Sequence, residues 1–504
     1  MKESLEGRTK RGVAWSGVTT LCGQVLTFGL GVALARLLSP ADFGVLAALI
    51  IFLEISSSIV SSGFVAALIQ FPSIRKEHYA TVWLVQLVLG SLVYFGLIVL
   101  SPFIAEFFRN ELIGDVLKVL ALYMFILPFI SIPTAILRKA INFKASGLAT
   151  LFQQLVSGGV SVTCAYVGFG VWSLVGGRLA GHLTNAIYLV NVSKWVPSWH
   201  FSLGALRDLI PYTGKMTLVN VLNDIAKNVD YVLVGRLLGA GQLGLYERAY
   251  TLMTLPLDKI SNSINLVLFS AFSEAQHNIG QLQKGFLKAT CVTSWFCAPV
   301  VVGLFWVAPE LVTVLYGEKW IGTVAPLRIM SFAGLLLSLD SIAVSLITAM
   351  GFVGFELKRQ AIYFVIMFVG VMIGSYWGLI GVATAVLVGA GIFLILLLIL
   401  VRQLVKVQFV DYAIVLMPSL LGCAVMSVCL GIGRILLQNF VGTNMFTVLF
   451  TMIVVGGLSY FVYFLAMGNK PRTDVVVEVH REITHYVRST YVWLRVTILG
   501  RIMG

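Results

Sequence analysis

Charge is scarce in this sequence. Asp, Glu, Lys and Arg together make up 11% of its 504 residues, against roughly 25% in an ordinary soluble domain. Hydrophobic residues reach 59% and the mean hydropathy is +0.95. A soluble fold of this size cannot hide so much apolar side chain from water, so a soluble enzyme, a disordered chain and a DNA-binding domain are excluded. Cysteine is also sparse. The six cysteines, at 22, 164, 291, 297, 423 and 429, all fall within apolar runs and none forms a CxxC pair. That excludes a disulfide scaffold and leaves thiols that pack as small hydrophobes. The six histidines show no metal-ligand spacing, no P-loop occurs, and no hydrophilic stretch is long enough for a soluble domain. No metal, no cofactor and no ATP drive within this chain are expected.

What the sequence does have is long apolar runs. A helix crosses a bilayer core in about 20 residues, and such stretches lie near 13–37, 42–70, 78–104, 113–137, 146–168, 170–192, 211–238, 242–272, 284–308, 324–350, 357–377, 379–404, 412–437 and 443–468. These predict an all-α polytopic membrane protein of about 14 spans. The first run is too long for a cleavable signal peptide and leads into a second span. The seventh and eighth stretches are the most polar. Tight turns at Gly168-Phe-Gly170 and Trp377-Gly378 join spans five to six and eleven to twelve.

The net charge of +13 comes from 35 Lys and Arg against 22 Asp and Glu. Its location argues against nucleic acid. Basic residues collect in alternate loops: Arg8, Lys10 and Arg11; Arg75 and Lys76; Arg138, Lys139 and Lys144; Lys194 and Arg207; Lys284 and Lys288; Lys358 and Arg359; Arg402 and Lys406; and the tail. The other loops hold Arg109, Lys118, Lys319 and Arg434 among acidic residues. The positive-inside rule then places both termini in the cytoplasm of a multi-pass protein.

The chain also repeats itself. With a shift of 200 residues, Ala35-Arg-Leu-Leu-Ser-Pro-Ala-Asp-Phe-Gly44 lies over Gly235-Arg-Leu-Leu-Gly-Ala-Gly-Gln-Leu-Gly244 without a gap. Gly170-Val171 and Gly381-Val382 give a weaker echo. Repeat units that start six spans apart enter the membrane in the same direction, which relates them by a pseudo-two-fold along the membrane normal. The expected organisation is one six-helix bundle over 1–200 and a second over 201–405. An extra pair of spans over 406–468 and a basic cytoplasmic tail over 469–504 complete it. In that tail Arg481, Arg488 and Arg495 recur every seventh residue opposite Ile483, Tyr486, Trp493 and Leu494. This is the pattern of an amphipathic helix lying on anionic lipid; a partly disordered basic tail is the alternative.

Lys10-Arg-Gly-Val-Ala-Trp15, the stretch 35–44 and Gly63-Phe-Val-Ala-Ala-Leu-Ile-Gln70 resemble the polysaccharide transporter family, which includes the Wzx-type flippases of the MOP superfamily. The resemblance covers about the first 400 residues and rests chiefly on Arg-Leu-Leu-x-Pro-x-x-Phe-Gly. It implies twin six-helix bundles of MOP/MATE type and a non-enzymatic role. That role would be translocation of undecaprenyl-diphosphate-linked oligosaccharide across the bacterial inner membrane by ion-coupled alternating access, for capsule, exopolysaccharide or O-antigen. Membrane lipids and a proton or sodium ion are then partners, and a polysaccharide polymerase stays open as another. The extra pair of spans is a variation on the twelve that many members have.

Ionisable residues inside spans cost about 3 kcal/mol or more unless they meet a partner or water. Asn220, Asp224, Lys227 and Tyr231 share one face of the seventh stretch. Glu247, Thr251, Thr254, Asp258, Asn262 and Asn265 stripe the eighth, bordered by Arg248 and Lys259. Either these are self-neutralising pairs that lock the bundle, or they line an aqueous path. The first bundle offers Ser16, Thr20, Gln24 and Thr27; Glu54, Ser57, Ser58 and Ser61; Gln153 and Gln154; and Arg178, His182 and Asn185. His182 reads as a hydrogen-bonded buried histidine or, less simply, a proton relay. Asp340, among Ser338, Ser341 and Ser345, has no base nearby in sequence.

For the implied cargo, Arg178, Lys227, Arg248 and Lys259 are the candidate contacts to diphosphate, with Gln24 and Asn220 for sugar. Glu54, Asp224, Asp230, Glu247, Asp258 and Asp340 are the candidates for the coupling ion. Arg36 and Arg236 read as helix-end anchors. Two other functions compete. A drug or cation antiporter of the same superfamily would favour an acidic, aromatic cavity, whereas this lining mixes both signs. A membrane glycosyltransferase or polymerase would need catalytic acids in a large external loop, which this sequence does not have.

Overall fold

The computed structural model describes residues 5–438, 444–467, 475–481 and 484. Among them the regular structure is all helical, and the chain is a multi-pass membrane protein. In order come α1 (Leu5–Leu37), α2 (Pro40–Ser57), a π-helical turn (Ser58–Ser62), α3 (Gly63–Gln70), α4 (Lys76–Phe108), α5 (Glu111–Leu120), α6 (Tyr123–Lys139), α7 (Phe143–Tyr166) and α8 (Val171–Ser193). There follow α9 (Leu203–Leu238), α10 (Ala240–Glu274), α11 (Ile279–Leu315), α12 (Val324–Ala349), α13 (Val353–Gly374), α14 (Gly378–Val405), α15 (Phe409–Gln438) and α16 (Met445–Met467).

Among the described residues ten segments are long and apolar enough to cross a membrane, and one of them, Lys358–Val405, takes in most of α13 and all of α14. The helices α8, α9 and α10 are absent from these ten, although they run for 23, 36 and 35 residues. Their polar stripes lower the hydropathy without breaking the helix. The count of 14 spans therefore goes beyond what length and hydropathy establish.

Local chemistry sets the breaks. Ser39 caps α2 in a capping box: its Oγ accepts from Asp42 N, Asp42 Oδ2 accepts from Ser39 N at 2.9 Å, and Pro40 opens the helix. Asn110, Asn142 and Ser202 cap α5, α7 and α9 with side-chain oxygens that accept from Leu112, Ala145 and Ala205 N. The turn before α8 needs left-handed backbone at Gly168 (φ +94°) and Gly170 (φ +55°), and the turn before α14 needs it at Gly378 (φ +65°). Both are the glycine turns expected from sequence.

The chain forms two compact units. The first comprises 1–247 with 315–320, the second 248–314 with 321–504. In the first, α7 packs tightly on α8, where Gly177 and Gly181 face Ser161 and Ser157, and α9 packs on α2 and on α3, where Gly63 meets Thr213. The repeat is built into this unit as a contact. A Cβ at Gly44 would overlap the Ala240 carbonyl, and a Cβ at Gly244 would overlap the Pro40 carbonyl. Positions 44 and 244, like 40 and 240, are equivalent under the 200-residue shift, so the two copies touch reciprocally.

In the second unit α14 packs on α12 and α13, and α15 packs on α16. The core there joins Phe286, Trp295, Ile342, Leu397, Tyr412 and Phe464. The tail enters the same core: residues 475–481 are helical, with Val476 and Val479 buried and Lys288 Nζ 3.1 Å from Glu478 Oε1. Arg488 and Arg495 lie outside the described residues.

Candidate functional site

The polar residues of the first unit converge at mid-helix. Glu54 and Ser58 stand four positions apart on α2 and its π-helical turn, and Asp224 and Asn228 stand four apart on α9. Residues at that spacing share a helix face. The two faces meet in antiparallel register. Asn228 Nδ2 donates to Glu54 Oε2 at 2.7 Å, and Ser58 Oγ donates to Asp224 Oδ2 at 2.6 Å. Asn228 also donates to the Asp224 carbonyl at 2.9 Å. The π turn follows at once, and Ser61 and Ser62 bond back to the carbonyls of Ser57 and Ser58. Such irregular single turns within helices often mark functional positions.

Arg178, on α8, brings the positive charge. It interacts electrostatically with Glu54 and with Tyr123 of α6. One turn along α8, His182 Nδ1 lies 3.2 Å from Gln153 Nε2 and its ring lies 4.1 Å from that of Tyr123. The Gln153 amide leaves Nδ1 as the acceptor, a tautomer assigned from the hydrogen-bond pattern. Asn185 Nδ2 then donates to Gln153 Oε1 at 2.6 Å. Five helices thus contribute to one network that holds two carboxylates, a guanidinium, an imidazole and three amides. Glu54 is exposed and Asp224 half-buried, so this network presents charge to solvent-accessible space as well as to itself.

Other candidate residues fall elsewhere. Lys227 is exposed on α9; Asn220 and Gln24 are half-buried. Among the described residues no ion pair joins Asp224 to Lys227, so the self-neutralising pair considered from sequence is not what holds Asp224. Asp230 is buried with Tyr246, whose hydroxyl donates to Oδ2 at 2.5 Å. Glu247 and Arg248 are half-buried neighbours on α10, and Asp258 and Lys259 are exposed neighbours further along it. Asn265 bridges α10 to α12 through Ser341 and Ser345 at 3.0 and 3.1 Å. Arg36 Nε donates to the Leu315 carbonyl and Arg236 Nη1 to the Phe107 carbonyl, both helix ends, as expected of anchors. Among the described residues no group of His, Cys, Asp and Glu is arranged to hold a metal ion.

Asp340 departs most from its sequence reading. It is not isolated: Arg359 Nη1 lies 2.7 Å from Oδ1, with both side chains buried, and the guanidinium sits 3.4 Å from the centre of the Phe393 ring. From sequence, Arg359 reads as a loop charge beside Lys358. Because α13 begins at Val353, both residues are already helical, and one face is exposed while the next is buried. Sequence reading also missed Asn228 and Tyr123. The signal for Asn228 was available, four residues after Asp224 on the same face; nothing local marks Tyr123.

The family model for "Polysaccharide biosynthesis protein" matches residues 33–325. The chain belongs to this family. The segment matched to the polysaccharide biosynthesis family holds both copies of the repeat and every member of the Glu54–Asn185 network, but neither Asp340 nor the extra helices α15 and α16. Among curated relatives, the teichuronic acid biosynthesis protein TuaB of Bacillus subtilis (strain 168) is 24% identical over 66% of this chain and 69% of its own. The lipopolysaccharide biosynthesis protein WzxC of Escherichia coli (strain K12) is 26% identical over 75% of this chain and 78% of its own. Among solved structures, the lipid II flippase MurJ in an inward closed conformation superposes with a TM-score of 0.72. It covers 89% of this chain and 97% of its own at 16% identity, which establishes a shared fold.

Proposed function

We propose that this chain translocates a lipid-linked oligosaccharide, carried on a polyprenyl diphosphate, across the bacterial inner membrane by ion-coupled alternating access. The observation that carries the reading is the network of Glu54, Asp224, Asn228 and Arg178 inside the family-matched helices. A polar group facing lipid would be expensive, and a network that leaves Glu54 exposed is explained by a path that polar cargo enters. Arg178 offers a planar fork suited to diphosphate oxygens, with Lys227, Arg248 and Lys259 as further cations. Gln24, Asn220 and the amides of the network suit sugar hydroxyls. Glu54 and Asp224 are the strongest carriers of the coupling proton or sodium ion; Glu247, Asp258 and Asp230 are weaker, and Asp340 is better read as the partner of Arg359. The sequence organisation supports two six-helix bundles, over 1–200 and 201–405, with both termini in the cytoplasm.

Depletion of the protein tests this directly. Lipid-linked oligosaccharide should accumulate facing the cytoplasm, without hypersensitivity to drugs. Hypersensitivity with no accumulated lipid would favour the antiporter instead. Arg178→Ala, Lys227→Ala and Arg248→Ala should each slow export, and normal export in all three would remove the cations from the path.

A further inference from the structure

We propose that the repeated Arg-Leu-Leu segment is a two-part latch that closes one end of the transport path, each copy fastening the other copy's helix. The inference rests on the carrier reading above. The helices α1, α4, α9 and α11 all finish at one end of the first unit, brought together by the contacts of residues 35–44, 107–108, 235–244 and 315–320. Arg36, at the end of α1, donates to the Leu315 carbonyl at the end of α11 at 3.0 Å. Arg236, at the end of α9, donates to the Phe107 carbonyl at the end of α4 at 2.6 Å and lies over the Phe107 ring. In span order α4 is the third of the first repeat and α11 the third of the second. Each arginine therefore binds the third span of the opposite repeat.

The acceptors are suited to a reversible fastening. The last carbonyls of a helix lack intrahelical donors and carry its partial negative charge, which a cation satisfies modestly and water can satisfy instead. Arg36 is exposed and Arg236 half-buried, so neither contact is sealed in a core. Between the arginines, Gly44 and Gly244 let backbone approach backbone at Ala240 and Pro40. Trp320 completes the closure, donating to the Ala35 carbonyl at 2.8 Å with Phe43 edge-on at 5.4 Å, and Lys319 donates to the Arg36 carbonyl at 2.9 Å.

Position relative to the polar network gives the latch its meaning. Ten residues of α2 separate Gly44 from Glu54, a rise of about 15 Å. The latch thus stands roughly half a membrane thickness from the network, on the side that the loop charges place outside. Glu54 is exposed behind the closed latch. Outward release then requires both arginines to let go and the glycine contact to part, and the reciprocity of the contact makes the two copies release as one.

Side-specific thiol labelling tests this without needing the substrate. A Ser57→Cys reporter, in the full chain with its six native cysteines replaced, is labelled by a membrane-impermeant maleimide in spheroplasts and in inside-out vesicles. With the latch intact, labelling should come from the cytoplasmic side and be slow from outside. Gly44→Ala, Gly244→Ala and the double variant Arg36→Ala/Arg236→Ala should each raise outside labelling about tenfold or more. Unchanged outside labelling in variants that still label from the cytoplasmic side overturns the latch and leaves the cargo assignment standing. Should one glycine variant fail to reach the membrane, its reciprocal partner and the arginine pair carry the same test. As a second arm, Phe43→Cys/Trp320→Cys joined by a cleavable bifunctional reagent should stop export and regain it on cleavage. Normal export by the fully cross-linked protein overturns the proposal.

Discussion

Asn228 and Glu54, 174 positions apart, share a hydrogen bond of 2.7 Å. Ser58 and Asp224 repeat the relationship one turn along, so α2 and α9 are joined by two rungs of opposite polarity: an amide on α9 serves a carboxylate on α2, and a hydroxyl on α2 serves a carboxylate on α9. Neither rung neutralises a charge. Each only orients one, which leaves both carboxylates able to take up a cation or a proton, with Arg178 in electrostatic reach of Glu54. A bundle built only for stability would pair those acids with bases.

Removing one rung should therefore cost more in transport than in stability. Asn228→Ala should lower stability by about 1.5–3 kcal/mol, the usual value for a hydrogen bond to a charged group. Export should fall roughly tenfold or more as Glu54 loses its fixed orientation. Glu54→Gln keeps the shape and removes the charge, and should abolish ion dependence with little change in the unfolding temperature of the purified protein. Export assays on both variants beside thermal unfolding in detergent separate the two effects. Equal loss of stability and transport in both would make the rung structural.

Asp340 should behave in the opposite way. Its partner Arg359 is buried with it, and breaking one side of a buried ion pair strands the other charge at about 3–5 kcal/mol. Asp340→Asn and Arg359→Met should each sharply lower the unfolding temperature and the amount of protein in the membrane. The double variant Asp340→Leu/Arg359→Met removes both charges and should recover most of both, together with export. If the double variant is stable yet does not transport, Asp340 belongs to the coupling machinery after all.

These two sites show where sequence reading reached and where it stopped. The Ser39-Pro-Ala-Asp42 start of α2 and the glycine turns at Gly170 and Gly378 follow from local rules, because the residues that act are neighbours in sequence. The repeat was legible because four identities, Arg36, Leu37, Leu38 and Gly44, recur in register. Hydropathy alone does not single out α8–α10, since their polar stripes lower it. Pairings such as Glu54 with Asn228 or Asp340 with Arg359 join distant segments, and no local pattern encodes them. Arg359 was the harder of the two: beside Lys358 it has the look of an ordinary positive-inside charge.

Asp230 offers a third contrast. It is buried, with Oδ2 served by Tyr246 and Oδ1 without a hydrogen-bond partner. Tyr246→Phe removes the donor and keeps the ring, including its edge-on contact with Tyr231 at 5.6 Å. The expected loss is about 1.5–3 kcal/mol, the value of a hydrogen bond to a buried charge. Asp230→Asn in the same background should restore much of it, because a neutral amide tolerates the enclosure better. Thermal unfolding of the single and double variants is the measurement, and additive losses would mean that the two side chains are not coupled.

The tail helix should respond to pH. His480 is 6% exposed, its ring 4.5 Å from that of Phe464, and burial holds its pKa below the ordinary histidine value. The released helix takes up a proton more readily than the docked one, so docking is strongest above the ordinary histidine pKa and weakens as pH falls below it. The neighbouring pair Lys288–Glu478, at 3.1 Å, holds the same helix through another side chain. Hydrogen-exchange protection of residues 475–481, taken relative to the intrinsic exchange rate at each pH, should fall several-fold between neutral and mildly acidic pH. His480→Phe keeps an aromatic ring against Phe464 and removes the titration, so its protection should be the same at both. A pH response that survives in His480→Phe would move the sensitive group elsewhere in the second unit.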